Sequence, residues 1–225
     1  MKQWRFSKFG RWAVAIWVLG GQLLGGPGAA MAAVIGPDTF TGVAVSYVLY
    51  RDAELLAAKE PDRRLPMASL TKMMTVLLVL EKSGLEEVVT VGPASAAASG
   101  SRLGLRSGER FTVIELLAAA MLPSANDACH ALADHVAGGE AAFVTLMNRR
   151  AKELGMNDTN FANACGHDRP SHYATARDLA RLAEVAWQQP VFARLAALER
   201  GSIETIDGRR SWTLVNSNAM LGRYP

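Results

Sequence analysis

Cysteine, histidine and long apolar runs are scarce in this sequence, and each shortage excludes a class of protein. The two cysteines, Cys129 and Cys165, are too few for a disulfide framework. The four histidines lack the His-Glu-x-x-His spacing of zinc hydrolases, so we expect no metal and no other cofactor. There is no Gly-x-Ser-x-Gly elbow and no glycine-rich phosphate loop, which argues against an α/β-hydrolase triad and a nucleotide site.

The sequence leaves the state of the two cysteines open. Cys129 falls within a helical pattern, where a small buried thiol is common. An oxidising compartment would permit a disulfide, but nothing in the sequence brings the side chains of Cys129 and Cys165 together. We therefore expect a buried thiol at Cys129, with a bridge to Cys165 as the alternative.

The first 32 residues contain no acidic residue and have the pattern of a secretory signal. An apolar stretch over residues 12–24 precedes a helix-breaking Gly-Gly-Pro and the small-x-small site at residues 30–32. Cleavage is expected after Ala32, with an uncleaved anchor as the alternative. The basic residues of the segment are Lys2, Arg5, Lys8 and Arg11.

Residues 33–225 have an ordinary globular composition and a charge close to neutral, with 20 basic and 21 acidic residues. Such a balance gives no electrostatic reason to expect nucleic-acid binding. No repeat, linker or membrane-spanning run interrupts them, so we expect one exported domain over residues 33–225.

The order of predicted elements indicates an α+β domain. Residues 43–51 and 55–57 are typical of strands, and Asp207-Gly208 predicts a hairpin between residues 203–206 and 212–215. Thr112 and Glu115 match a capping box. We expect the helices to pack on an antiparallel sheet made from both chain ends; they are predicted over residues 69–82, 116–122, 126–136, 140–154 and 175–187.

Ser69 and Lys72 are the first candidate catalytic pair. Residues at i and i+3 of a helix lie on one face, and a serine needs an adjacent base to become a nucleophile. Apolar neighbours favour burial of Lys72, which would lower its pKa and make it that base. The alternative is structural, because one Ser-x-x-Lys is expected by chance: Ser69 would cap the helix and Lys72 would be solvated.

Ser124 and Asn126 supply a second pair of polar groups at the end of a Leu/Ala-rich run. A hydroxyl there can pass a proton between Lys72 and a leaving group, and an amide can bind a substrate amide. The structural interpretation is a helix cap after Pro123, which is compatible with catalysis.

Several segments together resemble the serine D-alanyl-D-alanine carboxypeptidases, the low-molecular-weight penicillin-binding proteins. The resemblance covers about residues 40–225 and rests on residues 67–75, 108–117, 123–128, 161–163 and 172–180. It implies a β-lactamase/transpeptidase-like fold in the periplasm or at the cell wall, with peptidoglycan pentapeptide and β-lactam antibiotics as partners. Ser69 would be the nucleophile, Lys72 its general base, Ser124 part of the proton path and Asn126 a substrate contact.

One family signature is absent from the sequence. The family's Lys-Thr-Gly lies on a strand beyond residues 216–218, whereas this sequence has no lysine after Lys152. The chain thus resembles an incomplete catalytic domain without its C-terminal sheet strands. We expect little turnover from it, because that strand supplies an oxyanion donor and the carboxylate clamp. The alternatives are a non-catalytic remnant that binds peptidoglycan or β-lactam weakly, and a D,D-endopeptidase.

Overall fold

The computed structural model describes residues 44–51 and 54–223. The predicted signal segment, the first residue of the predicted strand at Val43 and the turn residues Asp52 and Ala53 lie outside that part. Within it, no helix is long and apolar enough to cross a membrane.

Seven α-helices form the larger part of the regular secondary structure in the described residues. The longest is α5, and a short 3₁₀ turn, Ala68–Thr71, leads directly into α1. The helices are α1 (Lys72–Lys82), α2 (Pro93–Ala96), α3 (Val113–Met121), α4 (Asn126–Ala137), α5 (Glu140–Glu153), α6 (Ala176–Trp187) and α7 (Pro190–Ala196). The sequence predicted five of these; the short helices α2 and α7, each begun by a proline, were missed.

Six short strands pair as three antiparallel hairpins or ribbons: β1 (Tyr47–Arg51) with β2 (Glu54–Lys59), β3 (Val88–Thr90) with β4 (Arg110–Thr112), and β5 (Arg200–Glu204) with β6 (Ser211–Val215). The β5–β6 hairpin around Asp207-Gly208 confirms its prediction. The expectation of one sheet from both chain ends is wrong for the described residues. Each terminal hairpin packs on a different helix, β1 on α6 and β5 on α3.

Helix α1 is the centre of the fold, and it is buried on all sides from Met74 to Val79. It contacts α3, α4, α5, α6 and α7, and the side chains of Met74, Val76 and Leu77 are fully buried. A helix that is hydrophobic all round has to be covered on all sides. This burial explains why Lys72, the first residue of α1, is withdrawn from water.

Local capping sets the start of two further helices. Thr112 and Glu115 form the predicted capping box of α3, with the Glu115 carboxylate accepting from the backbone N–H of Thr112. The hydroxyl of Thr175 accepts from the N–H of Asp178 at the start of α6. These caps fix the first residues of α3 and α6.

Candidate active site

The Ser69 hydroxyl lies on an exposed turn beside a buried lysine. Ser69 is exposed, while Lys72 retains only 5% of its accessible surface. The Lys72 Nζ donates to Ser69 Oγ over 3.3 Å. Ser69 sits within the 3₁₀ turn and neither Ser69 nor the N-cap Thr71 makes a side-chain capping bond, so the interpretation of Ser69 as a helix cap is wrong.

Three neutral acceptors surround the Lys72 ammonium. Besides Ser69 Oγ, the Nζ donates to Asn126 Oδ1 and to the carbonyl oxygen of Cys165, each at 2.8 Å. No carboxylate is among these partners. Burial lowers the pKa of Lys72 from 10.5 to about 8, so the neutral amine is accessible near physiological pH. Lys72 is therefore withdrawn from water, as its apolar neighbours in the sequence led us to expect.

His172 stabilises the turn that carries Ser69 through hydrogen bonds. The backbone N–H of Ala162 donates to His172 Nδ1, so the proton of the neutral ring is on Nε2. That Nε2–H donates to Thr71 Oγ1 over 2.7 Å, and Thr71 Oγ1 donates to the carbonyl of Ala68. Burial lowers the pKa of His172, which keeps the ring in this neutral form.

Ser124 is a strained residue with an unsatisfied hydroxyl. Its φ is 60°, in the left-handed region that few serines adopt, and its Oγ is buried without a hydrogen-bond partner. The N-cap of α4 is Ala125, so the prediction that Ser124 caps this helix is wrong. Backbone strain together with an orphaned buried hydroxyl is characteristic of functional sites.

Both polar atoms of the Asn126 side-chain amide form hydrogen bonds. Its Oδ1 accepts from Lys72, and its Nδ2 donates to the carbonyl of Ser99 over 2.7 Å. Only 8% of the residue is accessible. The structure thus brings Ser69, Lys72 and Asn126 together in one hydrogen-bonded group. Ser124 lies two residues before Asn126 with its hydroxyl outside that group.

Cys129 and Cys165 form a disulfide with their Cα atoms 5.9 Å apart, so the expectation of a free buried thiol at Cys129 is wrong. The bond joins α4 to the loop of residues 163–167, which packs against the Ser69 turn. Gly166 in this loop has a φ of +95°, and a Cβ there would meet Ala68 O at 2.0 Å. This contact was not predictable from the sequence, because Gly166 and Ala68 are nearly one hundred residues apart.

A buried carboxylate organises the other flank of the site. Asp127, with no accessible surface, accepts backbone N–H groups of Leu103, Gly104 and Leu105. It directly follows Asn126, so the loop over residues 103–105 and the amide of Asn126 share one support. Asp127, His172 and the Cys165 carbonyl were not predicted as site groups from the sequence. In the described part of the chain, no group of three or more His, Cys, Asp or Glu residues is arranged to hold a metal.

Solved structures of D,D-peptidases share the fold of this chain. A solved D-alanyl-D-alanine carboxypeptidase from Mycobacterium tuberculosis is 30% identical with a TM-score of 0.75, covering 81% of this chain and 69% of that one. A variant of the Streptomyces K15 DD-transpeptidase is 31% identical with a TM-score of 0.76, covering 80% and 76%. These likenesses confirm the predicted fold class.

The chain belongs to the D-alanyl-D-alanine carboxypeptidase family, whose model matches residues 38–225. It is 33% identical over 177 residues to the carboxypeptidase DacF of Bacillus subtilis, covering 76% of this chain and 45% of that protein. It is 39% identical over 144 residues to DacC of Escherichia coli, covering 59% and 36%. The chain therefore spans less than half the length of these two curated relatives.

Proposed function

We propose that this chain carries the acylation site of a serine D-Ala-D-Ala carboxypeptidase, which removes the terminal D-alanine of peptidoglycan stem pentapeptides. The observation that carries the proposal is the exposed hydroxyl of Ser69, 3.3 Å from the Nζ of the buried Lys72. A lysine surrounded by neutral acceptors and little water can lose its proton near pH 8 and act as a base.

In the proposed reaction, neutral Lys72 takes the proton of Ser69 while the Ser69 oxygen attacks the carbonyl carbon between two D-alanines. The C–N bond then breaks, and the departing amine of D-alanine receives a proton through the hydroxyl of Ser124. An ester on Ser69 remains. Water cleaves this ester, which releases the shortened peptide and restores the Ser69 hydroxyl.

Two features support the roles assigned to Ser124 and Asn126. The buried Ser124 hydroxyl has no partner, so it can bind the reacting groups without first breaking a protein hydrogen bond. Asn126 Nδ2 uses one N–H on Ser99, which leaves the other N–H for a substrate amide. The backbone N–H of Ser69 is the proposed oxyanion donor.

We further propose that residues 1–32 direct export, and that residues 33–225 are the catalytic-domain portion, working on peptidoglycan in the periplasm or at the cell wall. The relatives named D-alanyl-D-alanine carboxypeptidases support this location, as does the basic and apolar amino-terminal pattern. β-lactam antibiotics are the proposed inhibitors, with Ser69 as the residue they would acylate.

The test is the intact mass of the 225-residue chain after incubation with benzylpenicillin. We expect one covalent adduct on wild-type protein, none on Ser69→Ala, and much slower formation on Lys72→Arg, since arginine cannot act as a base. Circular dichroism checks that each variant is folded. An adduct that persists in Ser69→Ala, or no adduct on the folded wild-type chain, would contradict the proposal.

Release of D-alanine from a D-Ala-D-Ala peptide separates catalysis from binding alone. The absence of a Lys-Thr-Gly triplet favours acylation without efficient turnover in this chain. An adduct with slow D-alanine release is therefore the expected combination. Turnover at ordinary enzyme rates, about 1–1000 per second, would contradict this expectation.

A further inference from the structure

The loop of residues 163–167, here called the brace loop, touches both members of the proposed catalytic pair. The Cys165 carbonyl accepts a hydrogen bond from Lys72 Nζ. Gly166 lies so close to the Ser69 turn that a Cβ would come within 2.9 Å of the Ser69 nitrogen. The position of this loop therefore decides the surroundings of both the nucleophile and the base.

The brace loop is fixed internally by Asn163. The Oδ1 of Asn163 accepts backbone N–H groups from all three residues at the loop apex, and its Nδ2 donates to the carbonyl of His167. The base of the loop is anchored at Ala164, whose carbonyl accepts from Thr75 Oγ1 on α1 and whose N–H donates to Glu140 on α5. These bonds make residues 163–167 one hydrogen-bonded unit that is anchored at Ala164.

Two contacts join the apex of the brace loop to α4. One is the Cys129–Cys165 disulfide. The other is noncovalent, between His130 Nε2 and His167 Nε2 at 3.3 Å, with His130 Nδ1 also 3.3 Å from the carboxylate of Glu140. The histidine contact is long for a hydrogen bond and requires one imidazole to stay neutral. The disulfide is thus the contact that sets the distance between α4 and the loop.

Helix α4 and the brace loop supply two of the three acceptors of Lys72. Asn126 lies one helical turn before Cys129, and the third acceptor, Ser69 Oγ, is itself exposed. A bond between Cys129 and Cys165 therefore fixes the spacing of the two buried acceptors, each 2.8 Å from Nζ. If the loop tilts away, water can enter and solvate the ammonium, and a solvated lysine is a poor base at neutral pH.

We propose that the Cys129–Cys165 disulfide is a positioning device that holds the Lys72 base in place, so that its reduction slows acylation of Ser69. The inference rests on the proposed function and adds redox control to that site. Cys129 and Cys165 are buried, so a dithiol reductant reaches them only when the loop opens locally. One of its thiolates then attacks a cysteine sulfur, its second thiol resolves the mixed disulfide, and two cysteine thiols and an oxidised reductant result.

The experiment compares benzylpenicillin acylation of the 225-residue chain before and after treatment with dithiothreitol, which is removed before the antibiotic is added. We expect acylation to be at least tenfold slower after reduction at pH 7.5, and to recover on reoxidation. The matched control is Cys129→Ala/Cys165→Ala, which should acylate at the slow rate and be insensitive to dithiothreitol. Acylation that is measurable in both chains and equally fast in the oxidised and the reduced one would overturn the inference.

A second measurement keeps the inference separate from the proposed function. With ¹³C-labelled lysine, the Cε signal of Lys72 reports its titration without any reaction. We expect reduction to raise the titration midpoint towards that of solvated lysines, and an unchanged midpoint would overturn the inference. If no acylation occurs in either state while the midpoint moves, the proposed function fails and the positioning role stands. Global unfolding on reduction, seen by circular dichroism, would also overturn it, since the bond would then stabilise the whole fold.

Discussion

The titration of Lys72 is the prediction that bears most directly on the proposed mechanism. Its pKa is lowered to about 8 by burial. At pH 7 about one tenth of the molecules then hold a neutral Lys72, against well under one in a thousand for a solvated lysine. Acylation of Ser69 is therefore expected to rise about tenfold per pH unit below pH 7 and to level off above pH 8.

Replacing Asn126 by aspartate tests the cause of this shift. The substitution puts a carboxylate at the position of an atom 2.8 Å from Lys72 Nζ. An opposite charge this close favours the ammonium and raises a lysine pKa by about 1–3 units, or about 1.4–4 kcal/mol. The neutral fraction at pH 8 would fall from about half to about a tenth or less, with acylation falling in proportion.

The assay is the ¹³Cε titration of Lys72, one of only six lysines in the chain, with its signal assigned from Lys72→Arg. The matched control is Asn126→Leu, which also loses the bond to Ser99 but adds no charge, so it should not raise the midpoint. The reasoning would be refuted if Lys72 titrated near the pH 10.5 of a solvated lysine, or if Asn126→Asp left its midpoint unchanged.

Three further predictions concern stability. Gly166→Ala should lower the free energy of unfolding by about 3 kcal/mol or more, because its Cβ would overlap Ala68 O at a positive φ. The control Gly208→Ala also has a positive φ but lies in open space, and it should lower this free energy by about 1 kcal/mol. Urea unfolding measures both variants. Asp127→Asn should cost about 2–5 kcal/mol in the same assay, because an amide N–H would face backbone donors, and a loss below 0.5 kcal/mol would contradict this. Folding lowers the pKa of His172, so the unfolded chain binds a proton at a higher pH than the folded chain. The stability of the fold should therefore fall as the pH drops below about 6.5. Thermal melting from pH 7.5 to 5 should show a smaller fall for His172→Gln.

Local patterns in the sequence predicted five of the seven helices in the described residues and the proximity of Ser69 to Lys72. The capping box at Thr112 and Glu115 was predictable because both groups lie within one turn and need no distant partner. The contact of Ser69 with Lys72 was predictable for the same reason, since i and i+3 spacing brings two side chains to one face. The roles given to the four candidate residues remain proposals until the acylation tests are done.

Predictions that depended on distant segments were less successful. A single sheet from both chain ends was expected, yet β1–β2 and β5–β6 pack on different helices. Ser124 was expected to cap α4, but the chain enters that helix through a left-handed residue, which leaves the hydroxyl buried and unpaired. Composition and periodicity carry no information about such a backbone conformation at a serine.

By itself, the sequence determined the family, the order of the helices and the serine–lysine pair, because these depend on spacings within a few residues of each other. Only the tertiary structure decided what surrounds Lys72. It brought the Cys165 carbonyl, 93 residues away, to 2.8 Å from Nζ, and it joined Cys129 to Cys165 in a disulfide. The physical reason is that burial and long-range contacts set a pKa, and both arise only when α1 is enclosed by the rest of the fold.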